Sequence, residues 1–227
     1  MIFKRICSIL FFLLVITSYG QKKYSVVLPD NYNSNESYPL FIALHGGHGN
    51  MKDMQTYWKS PKLNNDFIVA YMEASTLDRA PNRYGWRNIV EERENINQYY
   101  SEIKEQYNIV TEQVYVGGFS LGARTSIDLV LNNIIPIKGF ILLNVGGGLS
   151  DACTDENVKQ AKERHVRGVV MTGEDDHKYK TQSLALKTLL EDQDFQFQFI
   201  VNKNTGHTTP PNFEPVLDSC LDYIISE

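Results

Sequence analysis

Three residue types that together can perform acyl transfer occur along the chain in the order Ser120, Asp176 and His207. A serine hydroxyl is a poor nucleophile until a base removes its proton, and histidine commonly supplies that base. A carboxylate beside the imidazole holds the required tautomer and stabilises the charged form of the ring. The three residues therefore predict nucleophilic attack by the serine on a carbonyl carbon.

Ser120 lies in a Gly-x-Ser-x-Gly motif with Gly118 and Gly122, between an apolar run and a helical pattern. This is the context of a nucleophile elbow, a strand-to-helix turn so tight that the serine adopts a strained backbone. Side chains at the two glycines are expected to collide with the neighbouring strand and helix. The free N–H of Leu121, at the helix start, would face charge developing beside Ser120. A glycine-rich turn without chemistry is the alternative.

A second donor for the developing oxyanion is expected in the glycine-rich segment from His45 to Gly49, which follows another apolar run. Glycines allow backbone N–H groups to approach a substrate oxygen closely. Gly47 is our choice of donor, and Gly46 is the second. His45 is expected to brace this loop through hydrogen bonds, and His48 to line the entrance of the site. In the sequence, the two histidines lie three residues apart on a glycine loop with no carboxylate beside them, so we predict no metal site there. No cofactor is predicted.

The predicted base and acid also follow apolar runs. His207 lies in a polar glycine-containing loop after the run at 195–201, and three acids follow the run at 166–172. Asp176 is our choice for the acid, Asp175 the second and Glu174 a distant third. The acidic cluster could instead be an ordinary solvated turn.

Short apolar runs alternate with helical patterns throughout the chain, which predicts a mostly parallel sheet with helices on both faces. Several runs are apolar on both faces, as expected for strands that are covered on both sides. The predicted strands are 24–28, 39–44, 67–72, 113–118, 137–144, 166–172 and 195–201. The predicted helices lie at 96–107, 121–131, 186–190 and from 213 onward. The segment 77–88 is expected to be a long surface loop.

Residues 1–20 have the pattern of a secretory signal peptide, because Lys4 and Arg5 precede fifteen uncharged, mainly apolar residues that end at Gly20. A retained anchor is the alternative, although polar residues dilute the segment. Cleavage after Gly20 would leave one domain at 21–227 and a secreted or periplasmic protein. That domain has 20 basic and 27 acidic residues, which disfavours nucleic acid as a partner.

Export would make a disulfide between Cys153 and Cys220 chemically possible. However, Cys220 lies on the apolar stripe of the C-terminal helical pattern, where a free cysteine usually packs as a small hydrophobic residue. The sequence alone does not decide whether Cys153 and Cys220 form a disulfide.

The motifs LHGGHG, GGFSLGA, GEDDH and NTGHTTP together resemble those of α/β-hydrolase esterases. The resemblance covers 24–225 and is strongest to small carboxylesterases of the phospholipase type and to exported polyhydroxybutyrate-depolymerase or feruloyl-esterase relatives. It implies a single-domain α/β-hydrolase fold and a triad of Ser120, Asp176 and His207. It also implies an oxyanion hole formed by Gly47 and Leu121.

Two features depart from that pattern. The depolymerase-like relatives have Thr-Trp-Pro after the histidine, whereas Thr208, Thr209 and Pro210 follow His207 here. No large cap domain is evident, so an open, shallow site is expected. Trp86 is a predicted substrate-binding residue. Other aromatic residues that could wall a pocket are Tyr57, Trp58 and Tyr84.

The sequence therefore predicts an exported serine carboxylesterase that acts on a small-molecule or polysaccharide-linked ester. A serine peptidase or amidase on the same fold is the alternative enzyme, and a non-catalytic ligand-binding relative is the alternative of another class. No nucleic acid partner and no stable membrane anchor are expected, and the oligomeric state is left open.

Overall fold

The computed structural model describes residues 23–226, so the predicted signal peptide at 1–20 lies outside the described residues. The strands are β1 Tyr24–Val27, β2 Tyr38–Leu44, β3 Ile68–Met72, β4 Thr76–Leu77, β5 Tyr84–Gly85, β6 Ile109–Phe119, β7 Ile137–Leu143, β8 Arg167–Gly173 and β9 Phe197–Asn202. The helices are α1 Met51–Tyr57, α2 Pro61–Asp66, α3 Ile89–Gln106, α4 Leu121–Leu131, α5 Asp155–Glu163, α6 Lys180–Asp192 and α7 Phe213–Ile225.

Seven of these strands form one sheet in the order β1-β3-β2-β6-β7-β8-β9. β1 pairs with β3 in the antiparallel direction, and the other neighbouring strands of this sheet pair in parallel. Parallel strands present their carboxyl ends at one edge. The loops after β2, β6, β7 and β8 therefore meet there, as a site built from several loops requires.

The sheet is covered on both faces, as predicted. Along β2, Leu40 and Ile42 belong to one buried cluster, which contains residues of α3, α4, α5 and α6. Phe41 and Ala43, which alternate with them, belong to a second cluster with residues of α1, α2 and α7. Successive side chains of a strand point to opposite faces, so two apolar layers account for the uninterrupted apolar run.

The two layers also decide the open question of the cysteine pairing. Cys220 is buried in the second cluster, and Cys153 packs against the first, on the opposite face of the sheet. Neither cysteine forms a disulfide within residues 23–226. Burial raises the pKa of the Cys153 thiol to about 11 and that of Cys220 to about 12. Both thiols are therefore protonated at neutral pH, and both pack against apolar side chains.

The seven predicted strands correspond to the seven strands of the main sheet, with shifts at their ends. Three features of the amino-terminal half were not predicted: α1, α2 and the small β4–β5 hairpin. The hairpin begins at Thr76 and otherwise lies in the segment 77–88, which was expected to be a surface loop. The helix signals were present, since Asn50 and Ser60 cap α1 and α2 and Pro61 opens α2. Among residues 23–226, no helix is long and apolar enough to span a membrane.

Candidate active site

Ser120 occupies a sharp turn between β6 and α4. Its φ of 55° and ψ of −115° are unusual for a residue with a side chain, and its N–H donates to the backbone oxygen of Leu143 at 3.0 Å. A Cβ atom on Gly118 would lie 2.4 Å from the backbone carbon of Gly122, and one on Gly122 would lie 2.1 Å from the backbone oxygen of Leu44. The predicted need for both glycines is thus confirmed: neither position has room for a side chain.

The structure brings Ser120, His207 and Asp176 into one hydrogen-bonded series. The hydroxyl of Ser120 lies 2.9 Å from Nε2 of His207, and Nδ1 of His207 lies 2.6 Å from Oδ2 of Asp176. Because a carboxylate can only accept, Nδ1 carries a proton in this arrangement and Nε2 is free to accept the serine proton. The geometry is that of a nucleophile, a base and an orienting acid.

Two aromatic rings hold the imidazole of His207. Its ring centroid lies 5.0 Å from that of Phe119 and 4.5 Å from that of Tyr179. Tyr179 comes from the segment before α6 and was not among the sequence candidates. The chain lacks the tryptophan that the depolymerase-like relatives have after their histidine, and Tyr179 provides an aromatic contact to His207 from another segment. The ring is therefore positioned from two sides as well as by its hydrogen bonds.

Of the three acids after β8, Asp176 is the one that contacts the histidine. It is 2% exposed, and its Oδ1 also accepts a hydrogen bond from the N–H of Tyr179 at 3.0 Å. Asp175 and Glu174 are exposed, and Glu174 instead accepts from the N–H of Asn204. The placement of these side chains agrees with our choice of Asp176, whose catalytic role stays a prediction.

His45 lies beneath the glycine loop and is 1% exposed. Its Nδ1 lies 2.7 Å from the backbone oxygen of Gly46, and its Nε2 lies 3.2 Å from the backbone nitrogen of Ala74, which donates to it. Burial lowers the pKa of His45 to about 4, despite the hydrogen bond to Gly46. His45 is thus a neutral ring that braces the loop, as the sequence analysis expected.

Gly47 and Leu121, the predicted oxyanion donors, lie against each other beside Ser120. A Cβ atom on Gly47 would come within 2.7 Å of Cδ1 of Leu121. Both residues border the cavity that contains Ser120, whereas Gly46 borders only the neighbouring cavity and faces the ring of Phe119. The N–H of Leu121 begins α4 and has no partner within the helix. Gly47 therefore remains our choice for the second N–H donor to the oxyanion, beside Leu121.

Two cavities meet at this point. The one that contains Ser120 has a volume of about 480 Å³, and its lining includes Leu121, Arg124, Gly147 and Tyr179. The other has a volume of about 290 Å³ and is lined by Met54, Tyr57 and Thr209 among others. His207 and Phe119 border both cavities. An ester bound with its carbonyl at Ser120 would have one cavity for each of its two halves.

The two predicted substrate-binding residues differ in exposure. His48 is half-exposed, borders both cavities, and has its Nδ1 3.0 Å from Oδ2 of Asp78. Trp86 borders the larger cavity but is 1% exposed, stacks on His45 and donates its indole N–H to the His45 backbone oxygen. Its observed contacts support the glycine loop. Of the other aromatics, Trp58 is buried in the second cluster and Tyr57 is exposed.

Sequence reasoning missed Asn144, Gly146 and Arg124. Asn144 directly follows β7, at the edge of the sheet where the parallel strands have their carboxyl ends. A Cβ atom on Gly146 would lie 2.6 Å from the hydroxyl of Ser120. Arg124 is four residues after Ser120, one helical turn away. For Asn144 the signal available in the sequence was its place at the end of a predicted strand, and for Arg124 it was its place four residues after Ser120.

No group of three or more potential metal-ligating side chains occurs in the part of the chain described here.

Comparisons with known proteins support the same architecture. An uncharacterized protein from Bacillus cereus ATCC 10987 has a TM-score of 0.77 and 26% identity over 86% of this chain and 61% of its own. A ferulic acid esterase from Anaeromyces mucronatus, solved with ferulic acid, has a TM-score of 0.68 and 15% identity over 89% of this chain and 84% of its own. The chain has the α/β-hydrolase fold. The predicted fold class is therefore confirmed. A separate comparison with models of protein families found no match to the chain.

One curated sequence relative of this chain is a bifunctional acetylxylan esterase/xylanase from Neocallimastix patriciarum. It is 29% identical over 99 residues, which make up 43% of this chain and 14% of the relative. The chain therefore spans a small part of that relative and about three fifths of the Bacillus cereus protein.

Proposed function

We propose that the protein is a serine hydrolase that cleaves carboxylic esters through an acyl-enzyme intermediate. The observation that carries this proposal is the hydrogen-bonded series from Ser120 through His207 to Asp176, at a strained turn on the edge of the sheet. The esterases among its structural neighbours and its sequence relative support an ester hydrolase.

In the proposed mechanism, Nε2 of His207 takes the hydroxyl proton of Ser120 as Oγ forms a bond to the ester carbonyl carbon. The carbonyl oxygen becomes an oxyanion that accepts hydrogen bonds from the N–H groups of Gly47 and Leu121. The bond to the alcohol oxygen then breaks, and His207 returns the proton to that oxygen. Water attacks the acyl-enzyme in the same way and releases the acid, with Ser120 regenerated.

We propose small-molecule or polysaccharide-linked esters as substrates. The support is the names of the relatives, which include a ferulic acid esterase and an acetylxylan esterase. The two open cavities on either side of His207 also suit a substrate that extends in both directions from its carbonyl.

The test is hydrolysis of a panel of chromogenic esters, from acetyl to longer acyl groups and one feruloyl ester. Wild type is expected to hydrolyse at least one, and Ser120→Ala to lose turnover while its circular dichroism spectrum and melting temperature stay those of wild type. Ser219→Ala, an exposed serine on α7, is the matched control and should keep full activity.

Two further probes separate the alternatives. Covalent labelling by a serine-directed phosphonate at Ser120 would exclude a non-catalytic binding protein. Hydrolysis of amide substrates at rates equal to those of matched esters would favour the peptidase or amidase alternative. Absence of both ester hydrolysis and labelling would overturn the proposed function.

We also propose that residues 1–20 direct export and are removed after Gly20, which places the protein in the periplasm or outside the cell. The test is N-terminal sequencing of the full-length gene product from a secreting host. A mature chain that begins at Gln21 is expected. A cytosolic product that retains Met1 would contradict export.

A further inference from the structure

An arginine that has no partner among residues 23–226 borders the same cavity as Ser120. Arg124 lies in the first turn of α4, and its backbone N–H donates to the backbone oxygen of Ser120 at 3.1 Å. Residues four apart share one face of a helix, and helical side chains lean toward the amino end. Arg124 therefore extends back toward Ser120, and its stem passes Gly147, whose added Cβ would lie 4.0 Å from Cδ of Arg124.

The guanidinium of Arg124 is unpaired among residues 23–226. Its Nε is buried without a hydrogen-bond acceptor, and the group takes part in none of the ion pairs formed within this part of the chain. Asp128, one helical turn beyond Arg124, already accepts hydrogen bonds from other side chains. Its two oxygens accept from Arg93 at 2.7 and 2.8 Å, and one of them also accepts from Ser150.

The charge of this cavity is consequently unbalanced. The second arginine that lines it, Arg87, pairs with the buried carboxylate of Asp78 at 2.6 Å, so its charge is compensated. Within the described part of the chain Arg124 has no such partner, and it lies near the positive end of the α4 dipole, where a cation is unfavourable. A buried unpaired donor is likewise costly unless a ligand supplies the acceptor.

We propose that the substrate carries a carboxylate that binds Arg124 in the 480 Å³ cavity. This inference rests on the proposed function and deepens it, since it defines the substrates as esters with a monoanionic group on the acyl or the alcohol side. A planar guanidinium pairs well with a carboxylate through two parallel hydrogen bonds. One uncompensated positive charge matches one carboxylate charge. Arg124 is thus a specificity-determining residue that contacts substrate away from the reacting carbonyl.

The test uses ester pairs in which a carboxylate is replaced by an isosteric neutral amide. For the alcohol side the pair is 4-acetoxybenzoate and 4-acetoxybenzamide, and for the acyl side monoethyl succinate and ethyl succinamate. The measured quantity is the ratio of kcat/KM for the charged ester to that for the neutral ester. This ratio cancels any general loss of activity in a variant.

Wild type is expected to prefer the charged member of one pair, and Arg124→Gln to lower that ratio about 10- to 100-fold, as loss of a charge-assisted pair predicts. Arg124→Lys, which keeps the charge without the planar fork, should restore part of the ratio. Lys159→Gln removes an exposed positive charge on α5 and should keep the wild-type ratio. Equal ratios in wild type and Arg124→Gln for both pairs would overturn the inference while the esterase activity stands.

Binding provides a readout that does not depend on turnover. With Ser120→Ala, calorimetric titration should show tighter binding of 4-hydroxybenzoate than of 4-hydroxybenzamide, or of monoethyl succinate than of ethyl succinamate. The added Arg124→Gln change should abolish the difference. If wild type showed neither ester hydrolysis nor phosphonate labelling, the proposed function would fail, and this titration would still decide the anion site. Equal affinity for acid and amide would overturn it.

Discussion

The side-chain amide of Asn144 donates a hydrogen bond to the backbone oxygen of Thr208 at 2.9 Å, one residue beyond His207. Its Oδ1 accepts from the N–H of Gly173 at 2.7 Å, at the end of the strand that precedes Asp176. Asn144 is fully buried at the end of β7. One side chain therefore joins the loop of the predicted acid to the loop of the predicted base.

We expect Asn144→Asp to lower kcat at least about tenfold with a smaller change in KM, since aspartate keeps the acceptor for Gly173 but places a carboxylate against the Thr208 oxygen. An unfavourable buried contact of this kind should also lower the free energy of unfolding by about 1–3 kcal/mol. Aspartate tolerates the positive φ of 51° at this position.

The matched control is Asn133→Asp, at an exposed residue that also has a φ of 51°. It should behave as wild type in steady-state kinetics and in urea unfolding. Wild-type kcat in Asn144→Asp would show that this bridge does not position His207.

Asp176→Asn should lower kcat by about 10³- to 10⁴-fold, because an amide in place of the carboxylate favours the wrong tautomer of His207. The amide can keep the acceptor for Tyr179, so the fold should be retained. Asp175→Asn, at the exposed neighbouring acid, should stay within about twofold of wild type by comparison with other surface substitutions. Steady-state kinetics on the best ester measures both. A larger loss of kcat in Asp175→Asn than in Asp176→Asn would identify Asp175 as the acid of the triad.

Gly122→Ala is expected to lower the free energy of unfolding by at least about 2 kcal/mol, because the new methyl would lie 2.1 Å from the backbone oxygen of Leu44. Gly206→Ala is the control: its nearest neighbour, the backbone oxygen of Asp175, would lie 4.0 Å away. Urea denaturation of the 21–227 chain compares the two. Equal stabilities would contradict the close approach of α4 to β2.

His45 should make stability depend on pH. Burial lowers its pKa to about 4 in the folded chain, against about 6.5 for an unperturbed histidine. Between these values the unfolded chain binds the extra proton, so the stabilising contribution is complete above pH 6.5 and is lost as the pH falls toward 4. From pH 7 to 5 this loss amounts to about 2 kcal/mol.

Urea unfolding at pH 7 and pH 5 tests this expectation. His45→Gln can keep a donor and an acceptor but cannot titrate, so its loss of stability between the two pH values should be smaller than that of wild type. His165→Gln, at an exposed histidine, should keep the wild-type dependence. The idea would be wrong if all three proteins lost the same free energy.

Much of the fold could be predicted from the sequence because its signals are local. Runs apolar on both faces marked the strands of the main sheet, and the range predicted for α4 matches Leu121–Leu131. The glycines around Ser120 indicated the turn, because only a residue without a side chain fits there. The short helices α1 and α2 were missed since their apolar periodicity is brief, although their caps were present in the sequence.

The sequence by itself determined the order and spacing of Ser120, Asp176 and His207 and the strands that end near each. Only the tertiary structure decided which of the neighbouring acids faces the histidine, that Tyr179 and Phe119 hold its ring, and that Arg124 has no partner within the described chain. The link between Asn144 and Thr208 spans 64 residues. Such contacts depend on how distant loops meet at the edge of the sheet, and no local pattern records that meeting.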